Sequence, residues 1–345
     1  MKIHSNRFRF LNGFLTTIMR ASGLLLFIQL IAGCSNQSPD ITIELYCFSA
    51  MRDVMEERIL PAFKELQKSN DNLNVEIHTR YGGSTMLTNH LITRENIDIA
   101  ILASEIDALR LYNHGVLSEA SWLKSPFEGT LAYTPILILY NPAELDSITD
   151  FDDLAQQNTQ LIMCNSNFSG LGQWTVLALY GAFKYSTRDE HLAILRMRQI
   201  WKQVNLKPAS AILGRQQYIN GRGNTIITYE SEIINPSDGR VMGGTVVVPK
   251  WTIMCEPKAL KIDQQRSPEK EESVSDFMAF LWGNEAQMAF VEYGFRSLDD
   301  RLYINNERFN DLHMIFTLDS LGGASQAKYQ ILEGVWTEKV KSFTE

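Results

Sequence analysis

The chain has 345 residues, 45% of them hydrophobic and 21% charged, ordinary values for a folded protein that buries a core in about two halves of ~100–200 residues each. The net formal charge is −8; the first 34 residues hold four basic side chains (Lys2, Arg7, Arg9, Arg20) and no acidic one, so the rest carries 28 basic against 40 acidic residues, a formal −12. That balance excludes a nucleic-acid partner, whose phosphates need a basic surface, yet leaves small anions open, because neutral N–H dipoles bind them.

Residues 1–20 are basic, and Leu24 to Ala32 form an apolar stretch too short to span a bilayer. The small residues Ala32 and Gly33 follow, directly before Cys34. Together these read as a secretory signal peptide over residues 1–33. Ile31-Ala32-Gly33-Cys34 resembles the bacterial lipobox, which implies cleavage before Cys34 and a lipid on it, the membrane anchor of an exported chain. Residues 34–40 then form a polar tether. With Cys34 acylated, Cys47, Cys164 and Cys255 remain, an odd number read as buried thiols. There is no Cys-x-x-Cys, so a structural zinc site is not suggested; no metal or cofactor is expected.

Ile41 to Phe48 reads as a strand. Met51, Met55, Ile59 and Phe63 follow at helical spacing, with Pro61 expected to kink or split that helix. Val75, Ile77 and Thr79 alternate like a strand, and Gly82-Gly83-Ser84 opens a helical run through Met86, Leu87, Leu91 and Ile92. Ile97 to Ala103 holds one charge, Asp98, as in a strand buried on both faces. Further β-rich runs stand at 132–140, 161–164, 225–229 and 244–248, with a helix over 174–183. The charged stretch 262–273 reads as an exposed loop, and 274–282 and 286–293 as closing helices. Alternating strands and helices give the α/β class.

Three places share one design: a strand ends, a Ser or Gly appears, and a helix begins. They are Ser49, Gly82-Gly83-Ser84 and Ser169-Gly170. A helix start presents free N–H groups and a partial positive charge, glycine lets backbone approach closely, and a Ser hydroxyl adds a donor. Each signal alone is weak, since a Ser there is most often only a cap. None satisfies a phosphate-loop or dinucleotide pattern.

Five segments in order are more specific: Cys47-Phe-Ser-Ala-Met-Arg-Asp, Tyr81-Gly-Gly-Ser-Thr, Ile97-Asp-Ile-Ala-Ile-Leu-Ala, Asn167-Phe-Ser-Gly-Leu-Gly-Gln-Trp174 and Thr228-Tyr-Glu-Ser-Glu232. The set resembles the sulfate/thiosulfate branch of the type II periplasmic binding proteins, from about Ile41 to Arg296. The resemblance implies a two-lobed α/β fold with a hinge and an interlobe ligand cleft. Lobe 1 would take residues 41–133, lobe 2 residues 134–245, and residues 246–345 would return to lobe 1 and add C-terminal helices. The crossings are expected near 133–137 and 246–255. The implied function is the solute-binding component of an ABC importer, monomeric, with a permease and its ATPase as partners and a small oxyanion, sulfate first, as ligand. By position, Ser84 would donate from the first lobe, and Ser169 with the amides of Gly170 and Leu171 from the second. Ser210 or Ala211 falls near a further backbone donor. Tyr229 stands where the family has a Trp, and Ser49 where it has an acidic residue. These two departures open the choice among sulfate, molybdate or tungstate, phosphate and an organic anion. Arg52 and Arg215 lie near the cleft by position, read as solvated or supporting.

The rival classes are a lipid-anchored hydrolase and a sensor on the same scaffold. The six histidines are His4, His78, His90, His114, His191 and His313. None lies in His-Glu-x-x-His, and no Gly-x-Ser-x-Gly occurs. His90, on the helix after Ser84, is the one candidate base for a Ser–His pair. Capture without turnover is the better account.

Overall fold

The computed structural model describes residues 39–343 except 72, 94–95, 157 and 237–241; the leader and Cys34 lie outside the described residues. β1 (Ile41–Phe48) is buried without interruption from Leu45 onward. Pro61 does not split the following helix, α1. The chain stays helical over Arg52–Val54, Met55–Ile59 and Leu60–Asp71, and its middle piece widens to five-residue hydrogen bonds directly before the proline. A wide turn there accommodates the ring and the missing N–H. β2 (Val75–Gly82), α2 (Ser84–Ile92), β3 (Ile99–Leu102) and α3 (Glu105–Asn113) complete the first run.

The second run begins with β4 (Thr134–Tyr140), buried at every position. Then come β5 (Leu161–Ile162), α4 (Gly170–Thr187), α5 (Glu190–Trp201), β6 (Val204–Leu206), α6 (Ala211–Ile219), β7 (Thr225–Tyr229) and α7 (Glu230–Ile234). β8 (Thr245–Val247), β9 (Trp251–Cys255), β10 (Lys258–Lys261), α8 (Pro268–Leu281), α9 (Asn284–Glu292) and β11 (Met314–Phe316) follow. The last helix, α10, joins Gly323–Gln326 to Ala327–Val340.

The strands form two sheets. The first has the order β10-β3-β1-β2, with β1 parallel to β2 and β3 and with β10 antiparallel at its edge. The second runs β11-β9-β4-β7-β5-β6, and β8 also pairs β4. β4 recruits both late strands: Ile138 to Tyr140 pair β8, and Thr134 and Pro135 pair β9. The stretch expected to return at 246–255 therefore belongs to the second sheet. The passage between sheets lies just outside it. Leu131 N–H donates to Pro257 O at 3.0 Å, Thr130 bridges Lys258, and Tyr133 exchanges two hydrogen bonds with Arg296. Three short segments thus run between the sheets side by side.

Two more expectations are corrected. The exposed loop is shorter than 262–273, because α8 starts at Pro268. Ser267 caps it by accepting from Lys270 N at 3.2 Å, and Glu269 and Glu271 sit in the first turn. A Ser cap, a Pro at the first helical position and early acids are a legible start signal. The segment after Ser297 does not return wholly to the first sheet. β11 pairs β9, and α10 packs on α4 and α5, with Trp336 edge-on to Trp201 at 4.8 Å. α8 and α9 do cover the first sheet's side, where Phe63 meets Phe277 at 4.9 Å. Burying one such ring contributes about 1.5–3 kcal/mol. Cys47, Cys164 and Cys255 are free and buried.

Candidate functional site

The helix starts singled out in the sequence meet at one joint between the sheets. A Cβ on Gly83, ahead of α2, would stand 2.2 Å from Phe168 O and 2.4 Å from Ala209 O, the backbone ahead of α4 and α6. A Cβ on Gly170 would stand 2.3 Å from Ala103 Cβ and 3.1 Å from Ser84 Cβ. Neither place admits a side chain, so the three helix starts close on one another as only glycine permits. Hydrogen bonds then lace the joint. Met86 N–H donates to Phe168 O at 3.1 Å, Trp174 Nε1 to Ala103 O at 2.8 Å, and Gln173 Nε2 to Thr85 Oγ1 at 2.9 Å.

Every residue singled out for the site is buried: Ser49, Ser84, Ser169, Gly170, Leu171, Ser210 and Tyr229. Ser169 and Ser210 cap α4 and α6, accepting from Gly172 N and Leu213 N, each at 3.4 Å. Accepting leaves each hydroxyl its proton, and that of Ser169 faces the Cys164 sulfur. Cys164 lies between them and donates to Ser210 O at 3.3 Å; burial pushes its thiol up to about 12, so it stays neutral. Leu171 puts its side chain into the main core and offers the joint only backbone. Ser49 sits in a turn that packs on α6. Arg52 is exposed.

Ser84 is already engaged. Its Oγ accepts from Ala103 N at 2.8 Å and donates to Asp107 Oδ2 at 2.5 Å. A hydroxyl has one proton, so Ser84 has none left for an anion while Asp107 is ionised. Asp107 is fully buried, and burial raises its pKa against the pull of Ser84 and Arg110. A protonated Asp107 would donate to Ser84 instead and release the Ser84 proton. The acid is thus the partner of Ser84, and His90 is not: His90 Nδ1 makes no hydrogen bond. Tyr229 is 1% exposed, its ring meets Phe48 edge-on at 6.5 Å, and its hydroxyl has no hydrogen-bond partner. Burial drives its pKa far up, so the phenol stays protonated. A buried hydroxyl without a partner costs about 1–3 kcal/mol, a cost that a ligand oxygen would remove.

Charge also crosses the joint. Arg215 is 6% exposed, more buried than a solvated Arg, and its Nη2 donates to Asp53 Oδ2 at 2.9 Å. Asn235 Nδ2 reaches the same oxygen at 2.8 Å. Glu232 Oε2 lies 3.4 Å from Arg215 Nε, but neither of its oxygens accepts a hydrogen bond. Burial lifts Glu232 to about 7 despite Arg215. Reasoning from sequence missed Asp107 and Glu232. Asp107 shows only as an acid in a first helical turn, and Glu232 only as one of two acids in a matched segment.

The chain and its fold have counterparts among known proteins. A family model described as bacterial extracellular solute-binding protein matches residues 43–296. The sulfate-binding protein of Synechococcus elongatus is 24% identical over 322 residues, covering 91% of this chain and 89% of that one. The thiosulfate-binding protein of Escherichia coli is 24% identical over 271 residues, covering 76% of each. Among solved structures, the sulfate-binding protein SubI of Mycobacterium tuberculosis superposes with a TM-score of 0.74 at 22% identity, covering 84% of this chain and 99% of that one. The periplasmic binding protein AfuA of Actinobacillus pleuropneumoniae, with bound fructose-6-phosphate, gives 0.68 at 14% identity, covering 88% and 99%.

Proposed function

The chain belongs to the bacterial extracellular solute-binding proteins and has the two-lobed α/β fold of the type II periplasmic binding proteins, and from that premise we propose that it captures a small tetrahedral oxyanion, sulfate first, for an ABC importer. The observation that carries this reading is the convergence of three helix starts where Gly83 and Gly170 leave no room for a Cβ. Such a joint offers neutral donors, the Arg215 guanidinium being engaged by Asp53 and Glu232. Helix N-termini stabilise an anion by roughly 0.3–1 kcal/mol each when exposed and up to about 2 when partly buried. Three together supply up to about 6 kcal/mol, and hydrogen bonds from serine and tyrosine hydroxyls supply the rest of the about 8 kcal/mol that micromolar affinity needs.

Ser169, Ser210, the amides of Gly170 and Leu171, and Tyr229 are the donors of this reading; Ser84 joins them when Asp107 is protonated, and Ser49 lines the joint. Capture involves no turnover, and the protein acts as a monomer that hands its solute to a permease and ATPase. The leader and Cys34 support export and a lipid anchor facing the periplasm or cell exterior. Calorimetry with sulfate, thiosulfate, molybdate and phosphate tests the ligand. Ser169→Ala should weaken sulfate binding about tenfold by removing one donor. Tyr229→Phe should change the ranking among the anions. Absence of any oxyanion binding below millimolar concentration, with an organic solute bound instead, would reject the oxyanion and keep the binding protein. Cys34→Ala should move the protein from the membrane to the soluble fraction, and mass spectrometry should find the lipid on Cys34 of the parent.

A protonated oxyanion such as hydrogen phosphate is the second reading. It rests on Ser84, whose hydroxyl donates to Asp107 and whose remaining lone pair can only accept. Competition between sulfate and phosphate at constant ionic strength separates the two.

A further inference from the structure

Beside the joint lies a cavity of about 280 Å³ that oxyanion capture does not use. α2 and α3 wall it on one side and the start of α4 on another, and α10 closes it. Its volume is near the lower end of the ~300–1,000 Å³ range of small-molecule sites, so it suits only a compact molecule.

The inner wall has polar ends with nothing to bind. Gln173 is 7% exposed; its Nε2 takes Thr85, and its Oε1 has no hydrogen-bond partner. Turning the amide over exchanges the two ends and leaves one of them bare either way. Arg110 Nη2 donates to Asn89 Oδ1 at 2.5 Å, whereas buried Nη1 makes no hydrogen bond and lies 3.6 Å from Asp107 Oδ1. At the outer wall Lys328 and Glu333 of α10 hold each other at 2.5 Å. The charged side chains that line the space are Arg110, Lys328 and Glu333. An anion alone would meet Glu333 and leave the Gln173 amide oxygen bare, and a cation alone would meet both basic groups. A molecule with both charges satisfies each wall, its carboxylate toward Arg110 and Lys328 and its ammonium toward Glu333 and the Gln173 amide. α10 lies beyond the residues 43–296 that match the family model, so this enclosure is completed by the chain's own C-terminal part.

We propose that this cavity binds a small zwitterion, an amino acid with a short side chain, at a site separate from the anion cleft. The assignment does not rest on the oxyanion reading. The test is calorimetry of L-serine and glycine into the purified protein, with and without saturating sulfate, with acetate and ethylammonium as controls of one charge each. One equivalent of an amino acid should bind in the submillimolar range in both buffers, and the controls should bind at least about tenfold more weakly. Glu333→Gln and Lys328→Gln lie on the outer wall and should each weaken amino-acid binding about tenfold while leaving sulfate binding unchanged. Arg110→Gln should abolish it; circular dichroism checks that this variant folds. The proposal fails if neither amino acid binds below millimolar concentration, if acetate binds as well as L-serine, if both outer variants bind like the parent, or if sulfate and the amino acid displace each other one for one. Amino-acid binding without any sulfate binding would count against the oxyanion reading alone.

Discussion

The start of β3 in the first sheet and the joint between the sheets each seal carboxylates from water, and they are wired in opposite ways. At the start of β3, Asp98 accepts from Glu44 N at 2.8 Å, Gln264 Nε2 at 2.5 Å and Arg266 Nε at 2.8 Å, and Lys270 Nζ lies 2.7 Å away. Burial pushes this acid up, but those donors outweigh it and lower its pKa. At the joint, Glu232 has one cation at 3.4 Å and no hydrogen bond, and Asp107 Oδ1 has none either; burial prevails and both acids are raised. The contrast recurs within α7. Glu230 takes Arg296 Nε at 2.7 Å and Nη2 at 3.0 Å as well as Asn310 N at 2.9 Å, two residues before the bare Glu232. Burial alone does not decide the charge of an acid; the number of donors aimed at it does. Saturated Asp98 ties strands of the first sheet to the segment ahead of α8, whereas under-paired Glu232 and Asp107 lie at the joint.

The largest expected effect tests the saturated side. Asp98→Ala leaves Arg266 and Lys270 without their buried counter-charge and should cost about 3–5 kcal/mol, read as a lower urea midpoint at unchanged slope. Sulfate affinity of the folded fraction should be unchanged; a loss would dissolve the distinction between the two regions. Gly170→Ala is the converse. Its Cβ would meet Ala103 Cβ at 2.3 Å in the joint. Sulfate affinity should fall about a hundredfold, roughly 2.7 kcal/mol, with the ligand-free melting temperature little changed. A melting drop as large as that of Asp98→Ala would mean that the joint is packed core rather than a closing surface.

Glu232 gives a pH signature. Its folded pKa, about 7, lies above the ordinary value of 4.5, so the folded state is favoured below 4.5 and that advantage is lost as pH rises through about 7. The change is on the order of 3–4 kcal/mol. Glu232→Gln should flatten melting temperature against pH across this window and stabilise the protein at pH above 7. An unchanged pH slope would place the titration elsewhere. The smallest expected effect belongs to Asp107. With its pKa raised, sulfate should bind more tightly as pH falls and Ser84 regains its proton. Asp107→Asn places an amide donor on Ser84 and should remove that pH dependence while changing affinity at neutral pH severalfold, about 1 kcal/mol. Isothermal titration at several pH values checks this, and a retained slope in the variant would overturn the role given to the pair.

The start of α2 at Ser84, the start of α4 after Ser169, the burial of the three cysteines and the α/β class were legible in the chain itself. Those features depend on local periodicity, capping residues and glycines that act within a few positions. The five ordered segments were enough to indicate the solute-binding family. Other features depended on which distant residues become neighbours. Ser84 meets Asp107, Arg215 joins Asp53 to Glu232, β4 draws β8 and β9 into the second sheet, and α10 closes a cavity over α3 and α4. No short-range pattern encodes a pairing across more than a hundred and fifty residues, as between Asp53 and Arg215. The state of each acid followed from such pairings, because protonation is set by the donors and the water that remain around a group after the whole chain has packed.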